Sequence, residues 1–273
     1  FVFEAFKKRN KFLPALGAWG YWFAWNPVLA ITALLLGDYL HGMFFPHIPA
    51  FTLSLIFGIS MFVLLLFVNY FGLAAGAYAQ LALAILSLLP LLVLSISPFL
   101  MNLVDYSNFT HSFLPPTWDW GSHHSWLTIL GLMALAQWSA CAWETAAVYA
   151  SEYKDPGRDT PKALFAAGGL CLLVFPLAQA AAIGTLGVEG LTANPYSPFV
   201  PIAQMVLGPV GGAVAIIMLI ASLILVANTA LLGSSRALYT MAHDGLLPPL
   251  FGRVNKNGIP FLAAVFTVLF NTL

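Results

Sequence analysis

Seven long apolar runs constrain this chain more than any other feature. They fall at about residues 14–38, 50–70, 76–99, 125–150, 163–187, 208–236 and 259–273. A helix needs about 20 apolar residues to cross the hydrocarbon core of a bilayer. The runs are too long and too uniformly apolar to alternate as strands of a soluble sheet. Only 7% of the residues are charged and 60% are hydrophobic, against roughly 25% charged in a soluble domain. Such a chain cannot cover itself with polar surface, so lipid is its expected solvent. The fold class expected is all-α integral membrane, a single transmembrane domain over residues 1–273 with seven spans. The chain opens without Met and stops inside an apolar run, and is expected to be a piece of a longer protein.

The basic residues give an orientation. Lys7, Lys8, Arg9 and Lys11 precede the first run, Lys154, Arg158 and Lys162 follow the fourth, and Arg236, Arg253 and Lys256 follow the sixth. With seven spans all ten lie on one side, which the positive-inside rule makes cytoplasmic. The ten Lys/Arg balance ten Asp/Glu, so no global field points to nucleic acid. Cys141 and Cys171 both lie in spans and lack zinc-ligand spacing. The six histidines lie in loops, no phosphate-cradling Gly-rich loop with a Lys occurs, and no Ser-His-Asp set can be assembled at one depth. An enzyme is therefore not expected, and neither a metal nor a cofactor.

The stretch Ser125–Ala163 carries the site hypothesis. Glu144 is the one carboxylate deep in an apolar segment, and it follows the small, polar cluster Ser139-Ala140-Cys141-Ala142. A carboxylate in hydrocarbon is costly, so it marks function by default. It reads either as a titrating group beside a wet path or as a carboxylate satisfied by neighbours and tying helices together. Small residues suit a break in the helix, whose exposed N–H and C=O groups can hold a substrate's carboxylate and amine. They also sit in intact helices. Trp138 could stack on a ligand or fill a core. Trp22, Trp25 and Asn26 could contact substrate or serve packing and a kink at Pro27, where a donor is lost. Asn228 and Thr229 could line a site or hydrogen-bond between helices. Pro90 predicts a second kink. Pro156, Gly157 and Pro161 break the charged segment after the fourth run. Trp118, Trp120 and Trp126 fit an interfacial belt, and Asn108-Phe109-Thr110 fits an external glycosylation acceptor.

Several of these motifs converge. Trp138 to Glu144, followed by Glu152-x-x-x-Pro156-x-Arg158-x-x-Pro161, resembles the sixth helix and following loop of amino acid permeases of the amino acid–polyamine–organocation superfamily. Gly233 to Pro248 is similar to the end of that family's eighth helix and its cytoplasmic loop, continued by Arg253-Val254-Asn255 and Gly258-Ile259-Pro260. Asn69-x-x-Gly72 with Gln80 is similar to the start of its fifth helix. The resemblance implies helices three to nine of about twelve, in a leucine-transporter-like five-plus-five inverted repeat that is incomplete here. It implies secondary active transport of an amino acid or related amine by alternating access, as a permease or antiporter.

Carried over, Trp138 matches an aromatic gate, Ser139, Ala140, Cys141 and Ala142 an unwound segment, and Glu144 the motif's carboxylate. Ala142 stands where the motif has Gly. Ser87 stands where some proton-coupled members have a Lys, which favours exchange or sodium coupling; H+ or Na+ as coupling ion stays open. The partners implied are the small-molecule substrate and the lipid bilayer, with self-association left open. A seven-span receptor is the alternative, opposed by the inward-facing Lys7–Lys11 run.

Overall fold

The computed structural model describes residues 5–6, 8, 12–71, 73–110, 114, 117–139, 141, 146–147, 150 and 153–272. Among these the ordered elements are helical and none is a strand. In chain order they are α1 (Phe12–Trp25), α2 (Val28–Met43), α3 (Ala50–Tyr70), α4 (Leu73–Leu100), α5 (His123–Ser139), α6 (Pro156–Ala193), α7 (Phe199–Leu207), α8 (Gly211–His243) and α9 (Phe261–Thr272). Five stretches are long and apolar enough to cross a membrane: Phe12–Met43, Ala50–Tyr70, Ala77–Leu100, Pro156–Ala193 and Phe199–His243. The fold is all-α and of the multi-pass membrane type. Its outer faces fit a lipid solvent: Phe165, Leu172 and Leu100 stand 82%, 80% and 77% exposed on helices with scarcely a charge. In water such faces would mark a binding surface or aggregation.

Two compact units divide the chain: Phe1–Leu89 with Ile216–Leu273, and Pro90–Ala215. In the first, α2 packs along α3 through small residues. Gly37 lies so close to α3 that a Cβ there would meet Ser54 Oγ, and also the Ala50 carbonyl at 2.5 Å and the Ser54 nitrogen at 2.6 Å. A Cβ on Gly58 would meet that of Ala33 at 2.6 Å. Ala33 and Gly37 are one turn apart on α2, as are Ser54 and Gly58 on α3. Two small-xxx-small rows therefore face each other, the arrangement that lets backbones approach where no hydrophobic force acts between helices. The Ser54 hydroxyl donates across the seam to the Leu34 carbonyl at 3.2 Å.

The break expected at Pro27 is present: α1 ends at Trp25 and α2 begins at Val28. Pro27 offers no N–H to the turn before it. Pro90 does not divide its helix. α4 runs unbroken through Pro90 and Pro98, as helices in membrane proteins can when neighbouring groups take up the freed carbonyls. At the far end of α3, the Tyr70 carbonyl accepts from the side-chain amides of Asn255 (3.1 Å) and Asn257 (2.7 Å). The turn before α9 thus caps α3, and the Tyr70 and Phe261 rings meet edge to face at 5.1 Å. α8 stops where Asp244-Gly245 was expected to stop it: Gly245 takes a positive φ of 74°, and Leu246 N–H closes on the Met241 carbonyl at 2.8 Å.

In the second unit, Pro156 starts a helix rather than breaking one. Its fixed φ suits a first helical position, and the Asp155 side chain caps α6 by accepting from Arg158 N–H at 3.3 Å. Asp159 reaches back to accept from Asp155 N–H at 3.4 Å. Pro161 falls in the second turn, so the charged segment is helical from Pro156 on. α6 is interrupted at Gly187 (φ 61°, ψ −172°). Its Gly184 carbonyl accepts instead from Asp105 N–H at 2.9 Å and from Asn108 Nδ2 at 3.0 Å. A short 3-10 turn, Tyr106–Phe109, thereby stitches the interruption. Asn108, read above as fitting a glycan acceptor, is half-buried here and its amide nitrogen is already donating.

Candidate functional site

The segment singled out in the sequence is where α5 ends. The apolar run to residue 150 leads one to expect more than six helical turns, yet α5 stops at Ser139, after 17 residues. Cys141 lies outside the helix. Its N–H reaches the Trp138 carbonyl at 3.4 Å and its Sγ lies 3.0 Å from the same oxygen. Among the described residues that follow, Ala146, Ala147 and Ala150 have 3-10 geometry. Tyr153 then ties the far side, donating from Oη to the Ala146 carbonyl at 3.0 Å. Trp138, on the last turn of α5, is 48% exposed. The side chain of Ser139 and the residues Ala140, Ala142 and Glu144 lie outside the described residues, so the carboxylate is not placed.

A helix that ends inside an apolar segment presents there last-turn carbonyls without intrahelical N–H partners, with the negative end of its dipole. In lipid such groups are tolerated only where they are buried in protein or line a wet cavity. Carbonyl oxygens in that position can accept from an ammonium group or coordinate a cation.

The other residues named from the sequence fall elsewhere, all in the first unit. Asn228 and Thr229 on α8 are engaged by neighbouring helices. Asn228 Oδ1 accepts from Asn69 Nδ2 of α3 at 2.6 Å. Thr229 Oγ1 accepts from Gln80 Nε2 of α4 at 3.4 Å and donates to the Leu225 carbonyl at 3.0 Å. Ser87, buried on α4, donates to the Ala84 carbonyl at 3.2 Å. Trp22 is 2% exposed in a core with Leu238 and Ala263, its ring 5.2 Å from that of Phe270. Trp25 is buried beside it, its ring 6.4 Å from Tyr21. Asn26, wholly buried at the α1–α2 break, accepts from Asn271 Nδ2 at 2.9 Å.

Asn271 was not anticipated, nor was its bridge. The signal was available: it is the one amide in the last apolar run, where a polar group at depth needs a partner. A concave region of about 580 Å³ lies between α6 and α7 and includes Phe175, Gln179 and Thr192. None of the site residues named from the sequence lines it.

Long helices with apolar outer faces, one ending inside an apolar run, define the class: a polytopic α-helical membrane protein. The comparisons make this particular. The amino acid permease family matches residues 3–273, nearly the whole chain, and the chain belongs to it. That is a family of permeases, not of catalysts. The chain is 26% identical to an uncharacterized amino acid permease, YvbW, of Bacillus subtilis, over 90% of this chain and 54% of the relative. It is 26% identical to the lysine-specific permease LysP of Lactococcus lactis, over 93% of this chain and 52% of the relative. It is 27% identical to the histidine permease HisP of the same organism, over 94% and 55%. The chain spans about half the length of the curated relatives it matches.

Proposed function

We propose that the full-length protein is a secondary active permease that carries an amino acid across the membrane by alternating access, and that its substrate meets the end of α5. The observation that carries this reading is the stop of α5 at Ser139 inside an apolar run. The negative end of a helix dipole, with carbonyl oxygens at its C-terminus, suits a substrate ammonium group. Trp138, Cys141, the Ser139–Ala142 backbone and Glu144 are the residues assigned to substrate and coupling. The half-exposed indole of Trp138 is the aromatic lid of this assignment. Asn228, Thr229 and Asn26 serve helix packing in it, since each has a protein partner.

The seven-span division belongs to this proposal, with the Lys7–Lys11, Lys154–Lys162 and Arg236–Lys256 segments cytoplasmic. So does coupling by exchange, or by H+ or Na+ with no other cofactor. Two relatives are named for lysine and histidine, so substrates with basic side chains belong in any panel beside neutral ones.

The test is uptake and counterflow by full-length protein in proteoliposomes, over a panel of amino acids, with and without sodium and pH gradients. Saturable uptake of at least one amino acid is expected; a folded, reconstituted protein that exchanges none defeats the proposal. Trp138→Ala is expected to raise the half-saturating substrate concentration. Glu144→Gln is expected to flatten the pH dependence of transport, and an unchanged pH profile removes the coupling role of Glu144.

A further inference from the structure

The break between α1 and α2, within the first unit, carries a polar arrangement of its own. Ala30 would ordinarily donate to the Asn26 carbonyl, four residues back. Instead its N–H donates to Asn271 Oδ1 of α9 at 3.2 Å. A backbone N–H can only donate, so this bond fixes which end of the Asn271 amide faces it. Asn271 Nδ2 must then donate, and it does, to Asn26 Oδ1 at 2.9 Å and to the Thr267 carbonyl at 2.8 Å. The Asn26 amide is fixed in turn: its oxygen is used, and its Nδ2 is left over as a donor. That nitrogen is buried on a residue with no exposed surface, and it has no partner.

Two more buried polar atoms without partners sit beside it: Thr267 Oγ1 and Trp22 Nε1. Thr267 shares the Asn271 amide with Asn26. Trp22 is one turn before Asn26, whose N–H it accepts at 2.8 Å. Its ring meets those of Phe266 and Phe270, the residues just before Thr267 and Asn271. The two obligate donors and the hydroxyl thus belong to residues linked at the helix break by the Asn271 amide and by the ring contacts of Trp22. Turning the Asn271 amide would lose the Ala30 bond, and turning the Asn26 amide would set two NH2 groups against each other.

We propose that the α1–α2 break is a binding site for a single buried water molecule, held by Asn26 Nδ2, Trp22 Nε1 and the Thr267 hydroxyl. Water suits the chemistry. It accepts from the two N–H groups and exchanges a bond with the hydroxyl, within the two to four bonds a buried water typically makes. A cation is excluded by two donors that cannot reverse. An anion finds no charged partner among these groups, and desolvating it here would be costly.

X-ray radiolytic footprinting of the full-length protein tests this, because hydroxyl radicals formed from ordered water label the side chains that touch it. Trp22 is expected to be labelled several-fold faster, relative to its intrinsic reactivity, than Phe62, which is equally buried at 2% exposure. Thr267→Val keeps the side-chain shape and removes one partner, and is expected to fold and to lower labelling at Trp22. Asn26→Leu is expected to abolish it. Labelling of Trp22 no faster than Phe62 overturns the proposal. So does fast labelling that Thr267→Val leaves unchanged in a protein whose elution profile and melting curve show it folded.

Discussion

Gly37→Ala is the sharpest test of how the first unit holds together. The added Cβ would stand 2.5 Å from the Ala50 carbonyl oxygen and 2.6 Å from the Ser54 nitrogen. Both are backbone atoms and cannot swing aside. Ordinary contacts involving carbon fall at about 3.5–4.0 Å, so α2 and α3 must part by on the order of 1 Å, which forfeits roughly a quarter to a half of each contact's attraction along the seam. Overpacking of this kind costs about 1–3 kcal/mol. Alanine returns up to about 1 kcal/mol through its better helix propensity. The Ser54–Leu34 hydrogen bond across the seam would lengthen as well, a further loss of about 0.6 kcal/mol. The net expectation is destabilisation by about 1–2 kcal/mol. Gly20→Ala is the control: it has nothing within 4 Å of its added Cβ and should leave stability unchanged or slightly raised. The assay is thermal unfolding of the full-length protein in detergent, followed by tryptophan fluorescence. At about 2–4 °C per kcal/mol for chains of this size, Gly37→Ala should melt several degrees below both the parent and Gly20→Ala. A melting point equal to that of Gly20→Ala would refute the close approach of α2 and α3.

Three further outcomes follow from single contacts. Asn228→Leu should destabilise by about 1–3 kcal/mol, because it leaves one buried N–H of the Asn69 amide without an acceptor while the other stays on the Leu65 carbonyl; the double variant Asn69→Leu/Asn228→Leu should recover part of that loss in the same melting assay. Expressed in a glycosylating host, the protein should carry no glycan at Asn108, whose Nδ2 donates to the Gly184 carbonyl, and Thr110→Ala should leave its electrophoretic mobility unchanged. Asn255→Ala removes one donor from the Tyr70 carbonyl and the acceptor for the N–H groups of Asn257 and Ile259, so limited proteolysis of inside-out vesicles should cut the 253–260 turn faster than in the parent.

The all-α membrane class was legible because runs of this length leave the backbone no other way to satisfy its polar groups in lipid. The interruption at Asn26-Pro27 was legible for a local reason, since proline removes a donor wherever it stands in a helix. At Pro90 α4 continues as one helix. The same reasoning overreached at Pro156, which begins α6. A proline's missing donor is a local fact, whereas whether the helix breaks depends on its place in the turn and on what lies alongside. The seam of Ala33, Gly37, Ser54 and Gly58 was written in the sequence as two four-residue spacings. It was passed over because small residues also suit breaks and ordinary packing.

The polar residues at depth mark the limit of a one-dimensional reading. Cost alone singles out Asn26, Asn69, Asn228 and Asn271 as groups that must be satisfied, but it does not say by what. Their partners lie 159 residues away for Asn69 and Asn228 and 245 residues away for Asn26 and Asn271, beyond any spacing rule. An amide that finds another amide is spent on structure and drops out of the list of substrate contacts. The group that local sequence can place without a distant partner is the backbone itself, and this is why the proposed substrate contact falls where a helix of apolar residues ends at Ser139.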